Sequence, residues 1–222
     1  MMIARASFVH PIPDVLSDTD AAPLLCAGAI GYRALRLTHL VDGQTLGLTG
    51  FGASGHLVLK MIRYRFPKTN IYVFARSERD RSFALELGAT WAGDTDAAMP
   101  LPLDAIIDTT PAWMPIVKAM ENLVPGGRLI INAIRKEPDD QAELLRLDYA
   151  RHLWMEKEIK SVANITRQDV REFLTLAAQA SLAPHTRVFP LADANQALTE
   201  LKTQSVTGAK VLIVESRTGV KT

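Results

Sequence analysis

The sequence predicts an α/β protein built on a parallel sheet with helices over both faces. Between residues 45 and 133, short apolar runs alternate with longer stretches whose apolar residues recur at helical spacing. The short runs are apolar almost throughout, not at every second residue, which marks strands buried on both faces. Glycine, proline or polar turns separate the segments. A regular strand–helix alternation of this kind builds a parallel sheet.

Size and composition set bounds on function. The chain has 222 residues, 48% of them hydrophobic, enough for a core that needs no covalent staples. One cysteine excludes a disulfide framework or a four-cysteine zinc lobe within the chain, and fits a reducing, cytoplasmic setting. With 25 Lys and Arg against 24 Asp and Glu, a net charge of +1 provides no basic field for nucleic acid. No apolar run approaches the roughly 20 residues of a membrane span, and the first residues do not read as a signal peptide.

Residues 1–16 are expected to be irregular, with Pro11 and Pro13 interrupting apolar residues. Ser17 or Asp18 is suited to cap a helical region that runs to about His39, broken near Cys26-Ala27-Gly28. After the turn at Val41-Asp42-Gly43, residues 45–51 are the first strand and 53–65 a helix with Leu57, Val58, Met61 and Ile62 on one face. Phe66-Pro67 stops that helix. Residues 70–75 are the second strand, 80–87 a helix closed by Gly88, and Trp91-Ala92 a short third strand. A fourth strand covers 103–108, with a helix at 114–123 and a turn at Pro125-Gly126-Gly127. A fifth strand covers 128–133 and a sixth 158–162. Beyond about residue 165 the rhythm changes: Thr166 caps a helix over 168–180, and 191–201 is amphipathic. Strands are expected at 186–189 and 210–214. These tail strands either finish the sheet or belong to a second domain.

Gly50-Phe51-Gly52-Ala53-Ser54-Gly55 has the G-x-G-x-x-G spacing. The string alone is weak, but here it ends a strand, opens a helix and precedes a second strand, the context of a dinucleotide site. Gly50 permits a tight turn, Gly52 leaves the backbone open to a pyrophosphate, and Gly55 lets helix and strand pack closely. The helix N-terminus offers amides to the anion. The alternative is a tight turn with no ligand. At the end of the second strand an acidic residue ordinarily selects NAD. Here Ala75 stands in that place and is followed by Arg76 and Ser77, which suit a 2′-phosphate and favour NADP over NAD. The same lack of an acidic residue disfavours an S-adenosylmethionine-dependent methyltransferase.

Taken together, several strings resemble the zinc-dependent medium-chain alcohol dehydrogenases. They are Ala22-Pro23-Leu24-Leu25-Cys26-Ala27-Gly28, the glycine turn followed by His56, and Glu86-Leu87-Gly88-Ala89. Ile107-Asp108-Thr109-Thr110 and Leu123-Val124-Pro125-Gly126-Gly127 complete the set. They run in order through nearly the whole chain. The resemblance implies a doubly wound, Rossmann-like sheet of six parallel strands that binds the cofactor. It implies hydride transfer between an alcohol or aldehyde and nicotinamide, with zinc polarising the oxygen. Cys26 takes the position of a zinc ligand, and Ile30 lies beside the nicotinamide. Thr109 and Thr110 border the adenosine and the bridging ribose, and Ala133 and Ile134 the carboxamide.

The resemblance also implies an incomplete enzyme. Family members begin with a GroES-like barrel carrying the other zinc ligands, a Cys and a His-Glu pair, and no second cysteine exists here to replace them. His10, His39, His56, His152 and His185 match no ligand spacing. Residues 1–16 are then a remnant of the barrel connection, 17–165 the dinucleotide-binding domain, and 166–222 a tail partly returning to the catalytic domain near 185–215. Relatives carry an Arg before the last strand that contacts the pyrophosphate; this chain has Lys210. His56, beside the cofactor turn, is expected to pack. The partners implied are a small alcohol or aldehyde, a second copy of the chain, or a chain supplying the barrel. The competing reading is a non-catalytic nucleotide-binding or partner-binding module derived from the same family.

Overall fold

The computed structural model describes residues 3–97, 101–203 and 208–214. Ser17 caps a first short helix, α1 (Asp18–Ala21), its hydroxyl accepting from the Asp20 amide. A wide π-type turn over Leu24–Gly28 then leads into α2 (Ala29–Thr38) and is the break foreseen near Cys26. Gly28 is small for a packing reason: a Cβ there would meet the Phe173 ring at 2.3 Å.

Six strands follow: β1 (Thr45–Thr49), β2 (Asn70–Phe74), β3 (Trp91–Gly93), β4 (Leu103–Asp108), β5 (Leu123–Ile131) and β6 (Glu158–Ser161). All pair in parallel, in the order β3-β2-β1-β4-β5-β6. The chain therefore winds outward from β1 in one direction as far as β3 and, from β4 onward, in the other. The crossovers carry α3 (Ala53–Arg65), α4 (Glu78–Glu86) and α5 (Met114–Glu121). Alternate strand residues feed two cores, because successive side chains point to opposite faces. Leu46, Leu48, Ile71, Val73, Ile107 and Ile130 pack under α2, α3 and α4. Tyr72, Phe74, Ile106 and Leu129 pack against Ile116 and Met120 of α5. The central strands are covered on both sides, as the continuous apolar runs foretold, whereas β6 at one edge is exposed.

The register between β1 and β4 is pinned at its start. The Asp104 carboxylate accepts from the Thr45 amide at 2.7 Å and the Thr45 hydroxyl at 2.8 Å. Further along, Leu123 pairs with Leu103 and Arg128 with Ala105, so residues 124–127 bulge out opposite Asp104 alone. The Pro125-Gly126-Gly127 turn expected ahead of the fifth strand is thus a loop within it. A strand pattern cannot show this, because the paired Leu123 lies on the helix side of the glycines. The strand ends at Ile131, short of the expected Ala133.

In the tail, α6 (Arg167–Gln179) opens with a reciprocal cap between Thr166 and Asp169. Asp169 is fully buried and meets Arg36 at 2.9 Å and Arg33 at 3.3 Å, which docks α6 on α2. Beyond it, β7 (Thr186–Pro190) and β8 (Ala209–Ile213) pair in parallel around α7 (Ala194–Thr203). They form a separate two-stranded sheet and do not finish the six-stranded one. Among the described residues no helix is long and apolar enough to cross a membrane.

Candidate cofactor-binding cleft

Each glycine of the turn after β1 has its own geometric reason. Gly50 has φ +80°, donates its amide to Phe74 O at 2.8 Å, and packs so close that a Cβ would meet Thr109 Oγ1 at 2.7 Å. Gly55 lies over the turn, where a Cβ would come within 2.9 Å of Gly50 O. Gly52 differs from both. It precedes α3 in extended conformation, and a Cβ there would meet nothing within 4 Å. No side chain caps α3. Its first amides, which begin beside that open space, have no carbonyl partner within the helix.

The space is part of a cleft of about 800 Å³ along the carboxyl ends of the strands. Residues 50–54 form its floor; Arg76, Ser77 and Asp80 line one end, and residues 109–112 and Asn132 another wall. It straddles the gap between β1 and β4, where the winding reverses and where open α/β sheets bind ligands.

The cleft gathers Gly50, Gly52, Ala53, Ser54, Arg76, Ser77, Thr109 and Thr110. Gly55 is buried behind the turn, Ile30 is half-buried on α2, Ala133 is half-buried past β5, and Ile134 is exposed. Arg76 is exposed at the mouth. Its backbone is held by Arg81, whose guanidinium donates to Ala75 O at 2.8 Å and to Arg76 O at 2.9 Å. The Ser77 hydroxyl caps α4 by accepting from the Asp80 amide. Thr109 Oγ1 donates to Thr49 O at 3.0 Å, closing the wall against β1.

Beneath this wall lies a polar group that sequence reasoning missed. Asp108, the last residue of β4, is fully buried. Its carboxylate accepts from Thr49 Oγ1 at 2.6 Å, Thr110 Oγ1 at 2.7 Å and Lys136 Nζ at 2.6 Å. The Lys136 ammonium also donates to Thr110 O at 2.8 Å and Ala112 O at 2.9 Å. A charged residue closing an apolar strand signals the need for a buried partner, but no spacing rule points 28 residues onward to Lys136. Nearby, the Asp140 carboxylate accepts from the Trp113 and Met114 amides at the start of α5, each at 2.8 Å. Burial acts to raise the Asp140 pKa, but these amides outweigh it and hold the carboxyl below its ordinary range. Asn132 was also missed. It lines the cleft, while both its amide atoms are shut from water without a partner.

His56 packs, as expected. Its Nδ1 lies 3.2 Å from Gly52 O, its Nε2 accepts from the His185 amide at 3.4 Å, and its ring meets Phe83. Burial pushes its pKa down to about 4, so the ring is neutral. Lys210 is committed elsewhere: its ammonium reaches Glu200 at 2.7 Å and Ala197 O at 3.2 Å within the tail. It does not replace an arginine at the cleft.

Cys26 is exposed on the π-type turn. Among the described residues no three His, Cys, Asp or Glu side chains gather in a way that holds a metal. These residues do not fit a zinc ion by themselves.

No family model matches the chain. A probable alcohol dehydrogenase, AdhA, of Mycobacterium tuberculosis (strain CDC 1551 / Oshkosh) is 40% identical over 209 residues, covering 94% of this chain and 58% of that protein. The chain thus spans less than two thirds of that relative's length. Among solved structures, CAD from Helicobacter pylori, complexed with NADP(H), has a TM-score of 0.71 at 21% identity, covering 87% of this chain and 54% of that one. Acetophenone reductase from Geotrichum candidum NBRC 4597, in complex with NAD, has a TM-score of 0.74 at 19% identity, covering 90% and 57%. Both share the fold described above.

Proposed function

We propose that this chain, a relative of the medium-chain alcohol dehydrogenases along nearly all its length, binds a nicotinamide dinucleotide for hydride transfer between an alcohol and its aldehyde. The observation that carries the reading is Gly52. A glycine with room for a side chain, at an uncapped helix N-terminus in a cleft at the winding reversal, is explained by a ligand that needs the space. The pyrophosphate lies over residues 50–54, received by the first amides of α3. Arg76 and Ser77, at the end of β2, face the adenosine ribose, and a guanidinium there favours the 2′-phosphate of NADP. One solved neighbour holds NADP(H) and another NAD, so the preference rests on Arg76.

Thr109 and Thr110 border the middle of the cofactor, and Ile30, Ala133 and Ile134 the nicotinamide end. When bound, the nicotinamide gives or takes the hydride, and this chain holds and orients it. A zinc at Cys26 needs ligands from outside the described residues. Residues 17–165 serve as the dinucleotide unit, with 1–16 and part of 166–222 directed toward a catalytic barrel. The setting proposed is the cytoplasm, where a lone thiol stays reduced.

Calorimetric titration of the purified chain with NADPH and NADH, with metal analysis of the same sample, tests this reading. Saturable binding with NADPH tighter than NADH is expected; a folded chain that binds neither overturns it.

A further inference from the structure

The cleft proposed above must accept a ligand with several negative charges, yet a carboxylate is buried directly behind its wall. Asp108 is tied to Thr49, the residue before Gly50, and to Thr110 in the wall itself. This is the place where β1 and β4 part. The carboxylate has a structural task there, joining the ends of two strands and the loop after β4, but its charge lies directly behind Thr110, which lines the cleft. In a dry interior such a charge is poorly screened. Lys136 supplies the opposite charge. Its side chain is 9% exposed, it contacts Asp108 at 2.6 Å, and its remaining donors are spent on Thr110 O and Ala112 O. It does not line the cleft.

We infer that Lys136 is a positioning residue whose ammonium neutralises Asp108, and so lets the cleft hold a polyanionic dinucleotide. The inference rests on the dinucleotide reading of the cleft and assigns the ion pair an electrostatic role toward the ligand. A clamp acting only through the loop carbonyls would affect every ligand alike. A counter-charge affects ligands in proportion to their charge.

The test is calorimetric titration of the full chain and of two variants, Lys136→Met and the neutral pair Asp108→Asn with Lys136→Met, using NADPH, NADH and uncharged adenosine. Lys136→Met should weaken NADPH by roughly tenfold or more, NADH less, and adenosine by no more than about twofold. The neutral pair should return NADPH to within about threefold of the wild-type chain, although its ties to the loop carbonyls are still missing. Equal losses for the three ligands, or a neutral pair no better than Lys136→Met, overturn the inference and leave a loop clamp. If Lys136→Met does not fold, the neutral pair decides alone: folded with NADPH binding kept supports the counter-charge, and folded with binding lost refutes it. A wild-type chain that binds neither dinucleotide overturns the cleft reading and this inference with it.

Discussion

Gly52→Val separates folding from binding more cleanly than any other change in the turn. The added side chain starts in open space, with nothing within 4 Å of the Cβ position, and the backbone there is extended, with φ −93°. Neither overlap nor left-handed strain is incurred, so the stability change should stay below about 1 kcal/mol. The valine instead occupies the floor of the cleft and holds a phosphate away from the first amides of α3. Losing two charge-assisted hydrogen bonds, each worth about 1.5–3 kcal/mol, removes about 3–6 kcal/mol of binding. That amounts to a hundredfold loss of NADPH affinity or more. Gly50→Ala is the contrasting control. It forces an L-residue to φ +80°, costing about 1–2 kcal/mol, and drives its Cβ to 2.7 Å from Thr109 Oγ1. Urea melts and calorimetric titrations of both variants are the assays. Gly52→Val should melt like the wild-type chain and bind poorly, whereas Gly50→Ala should melt early. A Gly52→Val chain that is folded and binds NADPH with unchanged affinity refutes the reasoning.

Three further outcomes are expected. Arg76→Ala should weaken NADPH by about tenfold and NADH much less, since one charge-assisted contact to a 2′-phosphate is lost; equal losses in titration would make Arg76 an ordinary surface charge. His56 is held neutral by burial, its pKa pushed from 6.5 to about 4, so the unfolded chain takes up its proton first as pH falls. Stability should therefore be full above pH 6.5 and decline toward pH 4 by about 1.4 kcal/mol per unit. His56→Gln should flatten that slope in urea melts; an unchanged slope would assign it to other groups. Asp169→Ala removes a buried carboxylate shared by Thr166, Arg33 and Arg36, and should cost about 3 kcal/mol in the same melts. A loss under 0.5 kcal/mol, on the order of an exposed pair, would show that α6 docks on α2 without it.

Much of the fold was legible because its signals are local. The apolar runs of β1 and β4, the helical spacing of α3 and the cap at Thr166 each lie within a few residues, and each appears at or close to the expected bounds. Pairing is not local. Whether residues 186–189 extend the large sheet or join residues 210–213 depends on a partner that the strand's own pattern does not name. The site divides in the same way. The glycine turn announces itself because its three glycines satisfy three constraints within six residues. Asp108 ends β4, whereas Asn132 and Lys136 follow β5, and the two segments meet only because β4 and β5 lie side by side in the sheet. Lys210 shows the same limit: it stands where relatives carry an arginine before the last strand, but the direction of its side chain is set by Glu200, ten residues away, which binds its ammonium.

The pairing of Thr45 with Asp104 has a consequence for how the protein is made. β1 lies at the centre of the sheet, yet one of its two neighbours is encoded 59 residues later. On a ribosome, β1 and β2 can zip together while β4 is still unsynthesised, leaving the other edge of β1 open with its amides and carbonyls unmet. Contacts between segments so distant in sequence form slowly, and an open apolar strand is where nascent chains stick to one another. The Asp104 carboxylate gives the arriving strand a single polar landmark, the Thr45 amide and hydroxyl. A slip of one residue would leave that landmark unmatched and turn the apolar side chains of β4 to the wrong face. Refolding yield, more than equilibrium stability, is the property through which this one contact should reveal itself.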